Sequence, residues 1–73
     1  WSEEALDRYE AVIRDHPAHQ VSGYAANLLL HTLDRTDQQD ELCWWAAQLS
    51  ASTPLLENKP ELAATLASIL ARC

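Results

Sequence analysis

The chain has 73 residues with no methionine, no phenylalanine and a single glycine. One glycine offers no glycine-rich loop for aiming backbone amides at an oxyanion, which counts against acyl-transfer chemistry. Cations are scarce as well. Five Lys and Arg residues stand against eleven Asp and Glu, for a formal net charge of −6. Non-specific nucleic-acid binding relies on Lys and Arg neutralising phosphates, so no nucleic-acid partner is expected. Attraction to anionic lipid is disfavoured for the same reason. No apolar run approaches the roughly 20 residues of a spanning helix, so no membrane insertion is expected either. Cysteine is limited to Cys43 and Cys73, and neither sits in a CxxC. They read as a buried thiol at Cys43 and a free thiol at Cys73, with one intramolecular bridge as the other arrangement they allow.

What remains is a chain that is 48% hydrophobic and rich in alanine and leucine, with few β-branched residues. That composition favours an all-α fold. A chain this short buries a marginal core. Ser2 followed by Glu3 and Glu4 reads as a capped helix start. Ala5, Leu6, Tyr9, Val12 and Ile13 then share one stripe at helical spacing, and Pro17 ends the helix. In the second helix Val21, Ala25, Leu28, Leu29 and Thr32 form one face, and Tyr24, Ala26, Leu30 and Leu33 widen it. A helix apolar on more than one side is expected to lie between others. Thr36 with Gln39 fits a capping box for the third helix, whose inward face is Leu42, Trp45, Ala46 and Leu49. Thr53 before Pro54 suggests a cap and one helical turn through Leu55 and Leu56, and Pro60 opens a last helix with Leu62, Leu66, Ile69 and Leu70. The spacing thus predicts four main helices near residues 2–16, 19–34, 37–51 and 60–72, antiparallel to their sequence neighbours because the connections are short. Tyr9, Val12, Leu28, Leu29, Leu42, Trp45, Leu49, Leu66 and Ile69 are the expected core.

Two of these segments match one another. In "ALDRYEAVIRDHP" (residues 5–17) Ala5, Tyr9, Val12 and Pro17 sit at offsets 0, 4, 7 and 12, and in "LCWWAAQLSASTP" (residues 42–54) Leu42, Ala46, Leu49 and Pro54 repeat those offsets. The shift, 54 − 17 = 37 residues, falls in the range of stacked repeats. The pattern resembles the second helix of a tetratricopeptide repeat, with its small, aromatic, small and closing-proline positions. Ala5, Tyr9, Val12 and Pro17 follow it closely, while Leu42 and Ala46 replace the small residue and the aromatic. The resemblance implies one domain over residues 1–73, built of antiparallel helical hairpins as a fragment of a right-handed α–α superhelix. It implies a protein-interaction or scaffolding role that binds a protein or peptide partner. In that register the chain opens on a second-type helix, as an excised piece of a longer solenoid would. The stripe of Ala5, Tyr9 and Val12, with Trp1 beside it, is then expected to be partly open and to offer a route to self-association.

Little in the chain suggests chemistry. His16 and His19 straddle a helix break and lack the convergent partners a metal needs. His31 and Cys43 are a conceivable imidazole–thiol pair without an oxyanion hole. No catalytic residue, metal site or cofactor is expected, and the chain does not read as an enzyme. Asp34, Asp37, Asp40 and Glu41 gather at the start of the third helix, where they complement its dipole or face a basic partner. Trp45 joins the inner stripe, whereas Trp44 falls among Asp40, Glu41 and Gln48. The candidate partner-binding residues are Trp44, Asp40, Glu41 and Trp1. Two other readings compete with the interaction module: a structural helical segment of a larger enzyme or assembly, and a small helical bundle that dimerises.

Overall fold

In the computed structural model, residues 3–73 are described. Trp1 and Ser2, and with them the expected cap at Ser2, lie outside the described residues. Five helices follow in order: α1 (Glu3–Asp15), α2 (Gln20–Arg35), α3 (Gln39–Ser50), the single turn α4 (Thr53–Leu56) and α5 (Pro60–Arg72). Among the described residues there is no strand.

The ends of these helices follow from local chemistry. In α1, Glu3 and Glu4 occupy the first turn and Arg14 the last, matching the helix dipole. Pro17 stops it. The corner into α2 is held by His19, whose Nδ1 accepts a hydrogen bond from the Val21 amide at 3.0 Å. The fully buried Ser22 hydroxyl lies 2.7 Å from the carbonyl oxygens of both Pro17 and His19.

Thr36 does not cap α3. It is the C-cap of α2, and its hydroxyl donates back to the Thr32 carbonyl at 2.8 Å. Asp37 follows in the left-handed region with φ 60°. The Asp37 and Gln38 amides then donate to the carbonyls of Asp34 and Leu33, which is the Schellman closure of a helix. Helix α3 therefore starts at Gln39 behind Gln38, with no side-chain cap. Ser52, not Thr53, caps α4, accepting from the Leu55 amide at 3.4 Å.

Direction is read from three tethers. Cys43, in the second turn of α3, is disulfide-bonded to Cys73 beyond the end of α5, with Cα atoms 5.9 Å apart. The two helices thus run in opposite directions, and the expectation of two thiols is overturned. Once α3 and α5 pack antiparallel, the start of one meets the end of the other, which the spacing of two cysteines in sequence does not reveal. Lys59 Nζ donates to the Pro17 carbonyl at 3.2 Å, and Arg72 Nη1 lies 3.9 Å from Asp34 Oδ1. Both ends of α5 therefore match the corresponding ends of α2, and these two helices run parallel. Helix α1 packs chiefly on α2, α3 on α5, and α2 on α3. The result is two helical hairpins side by side in a slab with extents of 29 × 28 × 15 Å.

The core lies where the four long helices and α4 meet. Leu29, Leu33, Leu42, Leu55 and Leu66 are its largest fully buried apolar side chains, and Ala26 and Ala46 let backbones approach. Leu49, Leu66 and Ile69 are buried as expected. Tyr9, Val12 and Trp45 are half-buried against the core. Leu28 departs from expectation and is 44% exposed, because the six buried positions of α2 from Ala25 to Leu33 turn the helix so that Leu28 looks outward.

One buried group is unpaired. The Thr32 hydroxyl has no hydrogen-bond partner among the described residues, on a residue only 2% exposed. Stranding a buried hydroxyl costs about 1–3 kcal/mol. Thr32→Val keeps the shape and removes the orphan. We expect it to raise stability by about 1 kcal/mol in urea unfolding; a loss of stability would show that the hydroxyl is satisfied.

Candidate functional site

The two parallel helices α2 and α5 do not close fully on one another. Between them, at their N-terminal ends, lies a groove of about 490 Å³. One wall is the stripe Gln20, Gly23, Tyr24 and Asn27 of α2, and the other is the segment Glu57–Leu62. The second wall is built residue by residue. The Ser52 cap starts the α4 turn, and Leu55, with no exposure, anchors it in the core. Asn58 then reverses the chain with φ 59°, a conformation asparagine tolerates better than most residues. Pro60 restarts the helix, since its fixed φ suits a first turn.

Gly23 is the position that shapes the groove. A Cβ added there would lie 3.2 Å from Lys59 Cδ and 3.4 Å from Lys59 Cε. The missing side chain lets the Lys59 stem cross α2 and its ammonium reach the Pro17 carbonyl. Lys59 thus holds the two walls together at the floor. The remaining lining is polar and aromatic. Gln20, Asn27 and Asn58 carry amides that both donate and accept, the form a peptide backbone requires. Tyr24, 62% exposed, supplies an apolar ring. Glu57 and Glu61 add two carboxylates to the rim.

The candidate residues read from the sequence lie elsewhere. Asp40 and Glu41 are exposed in the first turn of α3. With Asp37, Gln38 and Gln39 they border a shallow depression of about 290 Å³. Glu41 also belongs to a wider acidic field. The Glu10 carboxyl of α1 is held above its usual range, first by partial burial and then by Asp7 and Glu41, with Arg14 opposing. Trp44 is 56% exposed and meets Trp45 edge to face, with centroids 4.9 Å apart and planes at 89°. Trp1 lies outside the described residues. Asp40 and Glu41 are thus together, while Trp44 stands a turn further along α3 and does not border their depression. The Cys43 sulfur is in the disulfide, so it offers no thiol to His31. Among the described residues no three His, Cys, Asp or Glu side chains gather closely enough to hold a metal ion, and no helix is long and apolar enough to cross a membrane.

Sequence reasoning missed the groove because its walls, 20–27 and 57–62, lie 57 − 27 = 30 to 62 − 20 = 42 residues apart in the chain. The available signal was the solitary Gly23 inside an otherwise strong helix, which marks a close approach.

Comparison of the chain with protein-family models, with curated proteins and with solved structures finds no match.

Proposed function

We propose that this chain is a protein-interaction module of paired helical hairpins, resembling tetratricopeptide repeats, that holds an extended segment of a partner protein in the groove between α2 and the Glu57–Leu62 segment. The observation that carries the reading is the groove itself: amides, an exposed tyrosine and two carboxylates arranged between two parallel helices. Binding, rather than catalysis, is the activity such a set supports.

Two features favour the hairpin-repeat register. Helices α2 and α5, the first-type helices in that register, run parallel and share a face, as equivalent helices of successive units do. The stripe Leu42, Ala46 and Leu49 is buried in α3, whereas Ala5, Tyr9 and Val12, at the same offsets in α1, are half-buried. Equivalent positions are thus covered in α3, which packs on α2 and α5, and partly open in α1, which packs chiefly on α2 alone.

The groove chemistry selects the partner's character. Glu57 and Glu61 favour a basic residue, and Tyr24 favours an apolar neighbour to it. Panning a linear-peptide display library on the oxidised protein should return sequences with that pairing. Asn27→Arg, which fills the groove, should weaken them by about tenfold or more, equivalent to 1.4 kcal/mol. Glu61→Lys should act in the same direction, and Trp44→Ala should not. Selected peptides insensitive to both groove variants would overturn the proposal, and loss on Trp44→Ala instead would move the site to α3.

A further inference from the structure

Three of the four large apolar side chains left exposed among the described residues lie on α2: Val21 at 41%, Tyr24 at 62% and Leu28 at 44%, with Trp44 of α3 the fourth. Their spacing, three residues and then four, sets them on one stripe of the helix surface. His31 and Arg35, both exposed, continue it at three and four again. Alternation of three and four is the spacing of a seam at which one helix meets another.

The seam is unusual in its charge. The chain is 22% charged, yet α2 carries no charged residue from Gln20 to Leu33. Val21, Tyr24, Leu28 and the imidazole of His31 can therefore be taken out of water without stranding a carboxylate or ammonium. Charge gathers at the seam's two ends; at the C-terminal end Asp34 is faced by Arg72 at 3.9 Å, and Asp37 follows in the turn. Arg35 stands at the C-terminal end and has no ion-pair partner among the described residues. At the N-terminal end, Gln20 and Tyr24 share the groove with Glu57 and Glu61.

From this we infer that the Val21–Arg35 seam of α2 is a self-complementary surface that pairs with a second copy of the chain. An antiparallel two-fold arrangement carries Arg35 of each copy to the end of the other copy that bears Glu57 and Glu61. The apolar positions meet in the middle. A parallel pairing sets Arg35 against Arg35. A uniformly basic helix meets Arg35, and a uniformly acidic one meets the two glutamates. The copy satisfies both ends at once, as an isologous contact must. The net charge of −6 opposes association, and this face is where that opposition is least.

The test is sedimentation equilibrium of the oxidised protein over a concentration series to about 1 mM, beyond which an interface is too weak to matter. The wild type should move from monomer to dimer mass. Leu28→Glu should weaken dimerisation by about tenfold or more, with helical circular dichroism and the melting temperature of the dilute, monomeric protein unchanged, since Leu28 is exposed. Leu28→Ser, a milder change, should act in the same direction, and Trp44→Ala should have no effect. Arg35→Glu should weaken dimerisation, and mixing it with the double variant Glu57→Lys/Glu61→Lys should restore a heterodimer. A monomer throughout, a dimer indifferent to Leu28→Glu and Leu28→Ser, or equal loss on Trp44→Ala would overturn the inference. The seam shares Tyr24, Glu57 and Glu61 with the proposed groove, so a second copy and a peptide compete there. Leu28→Glu, outside the groove, reads the dimer alone, and peptide binding to that monomeric variant with and without Asn27→Arg reads the groove alone.

Discussion

Leu29→Ala is expected to destabilise the protein by about 2–5 kcal/mol, the range for truncating a well-packed leucine. Leu29 has no exposed surface and sits midway along α2, the helix that packs on α1, α3 and α5. Neighbours on three sides cannot all shift to fill the space. Domains typically have about 0.05–0.15 kcal/mol of net stability per residue, so a loss of this size consumes much of what a chain of this length has. Urea unfolding followed by circular dichroism reads it directly. A midpoint that barely moves would remove α2 from the centre of the fold. Leu28→Ala, one residue away and 44% exposed, should cost far less, and the contrast between the two reports the rotation of α2 about its axis.

Breaking the Cys43–Cys73 bridge is expected to cost about 3–4 kcal/mol. The bridge spans a sequence separation of 30, and closing a loop of that length removes this much conformational freedom from the unfolded chain. For a domain of this size each kcal/mol moves the melting temperature by about 4–8 °C, so reduction, or Cys43→Ser with Cys73→Ser, should lower it on the order of 15–25 °C. The double serine variant separates loss of the bridge from reactivity of a lone thiol. Equal melting temperatures with and without reductant would show that α3 and α5 hold their register unaided. Because such bridges persist in oxidising surroundings, the fold is at full stability there.

Much of the fold was legible because the punctuation is local. Pro17 and Pro60 mark real helix boundaries, and the stripes of α3 and α5 bury Leu42, Ala46, Leu49, Leu62, Leu66 and Ile69. Where the reading failed, a non-local fact decided. Val21, Tyr24 and Leu28 look like core in sequence, since hydrophobicity alone does not separate a helix packed all round from one packed on part of its surface and open on the rest. The disulfide needed the antiparallel meeting of α3 and α5. The cap at Thr36 failed through local competition: Asp37 in the left-handed region closes α2 and leaves Thr36 inside that closure. As for sites, Trp44, Asp40 and Glu41 stand out in the sequence because a tryptophan on a polar helix face and a run of charge are both visible there. The groove did not, because Gly23 gains its meaning only when the Lys59 stem is laid across it.

The most direct test of the groove as the binding site is an amide proton–nitrogen NMR titration of the oxidised protein with a display-selected peptide. Shifts concentrated on Gly23, Tyr24, Asn27, Asn58, Lys59 and Glu61, saturating with one peptide per chain, are the expected result. Shifts concentrated on Asp40, Glu41 and Trp44, with the α2 and Glu57–Leu62 signals unmoved, would contradict it.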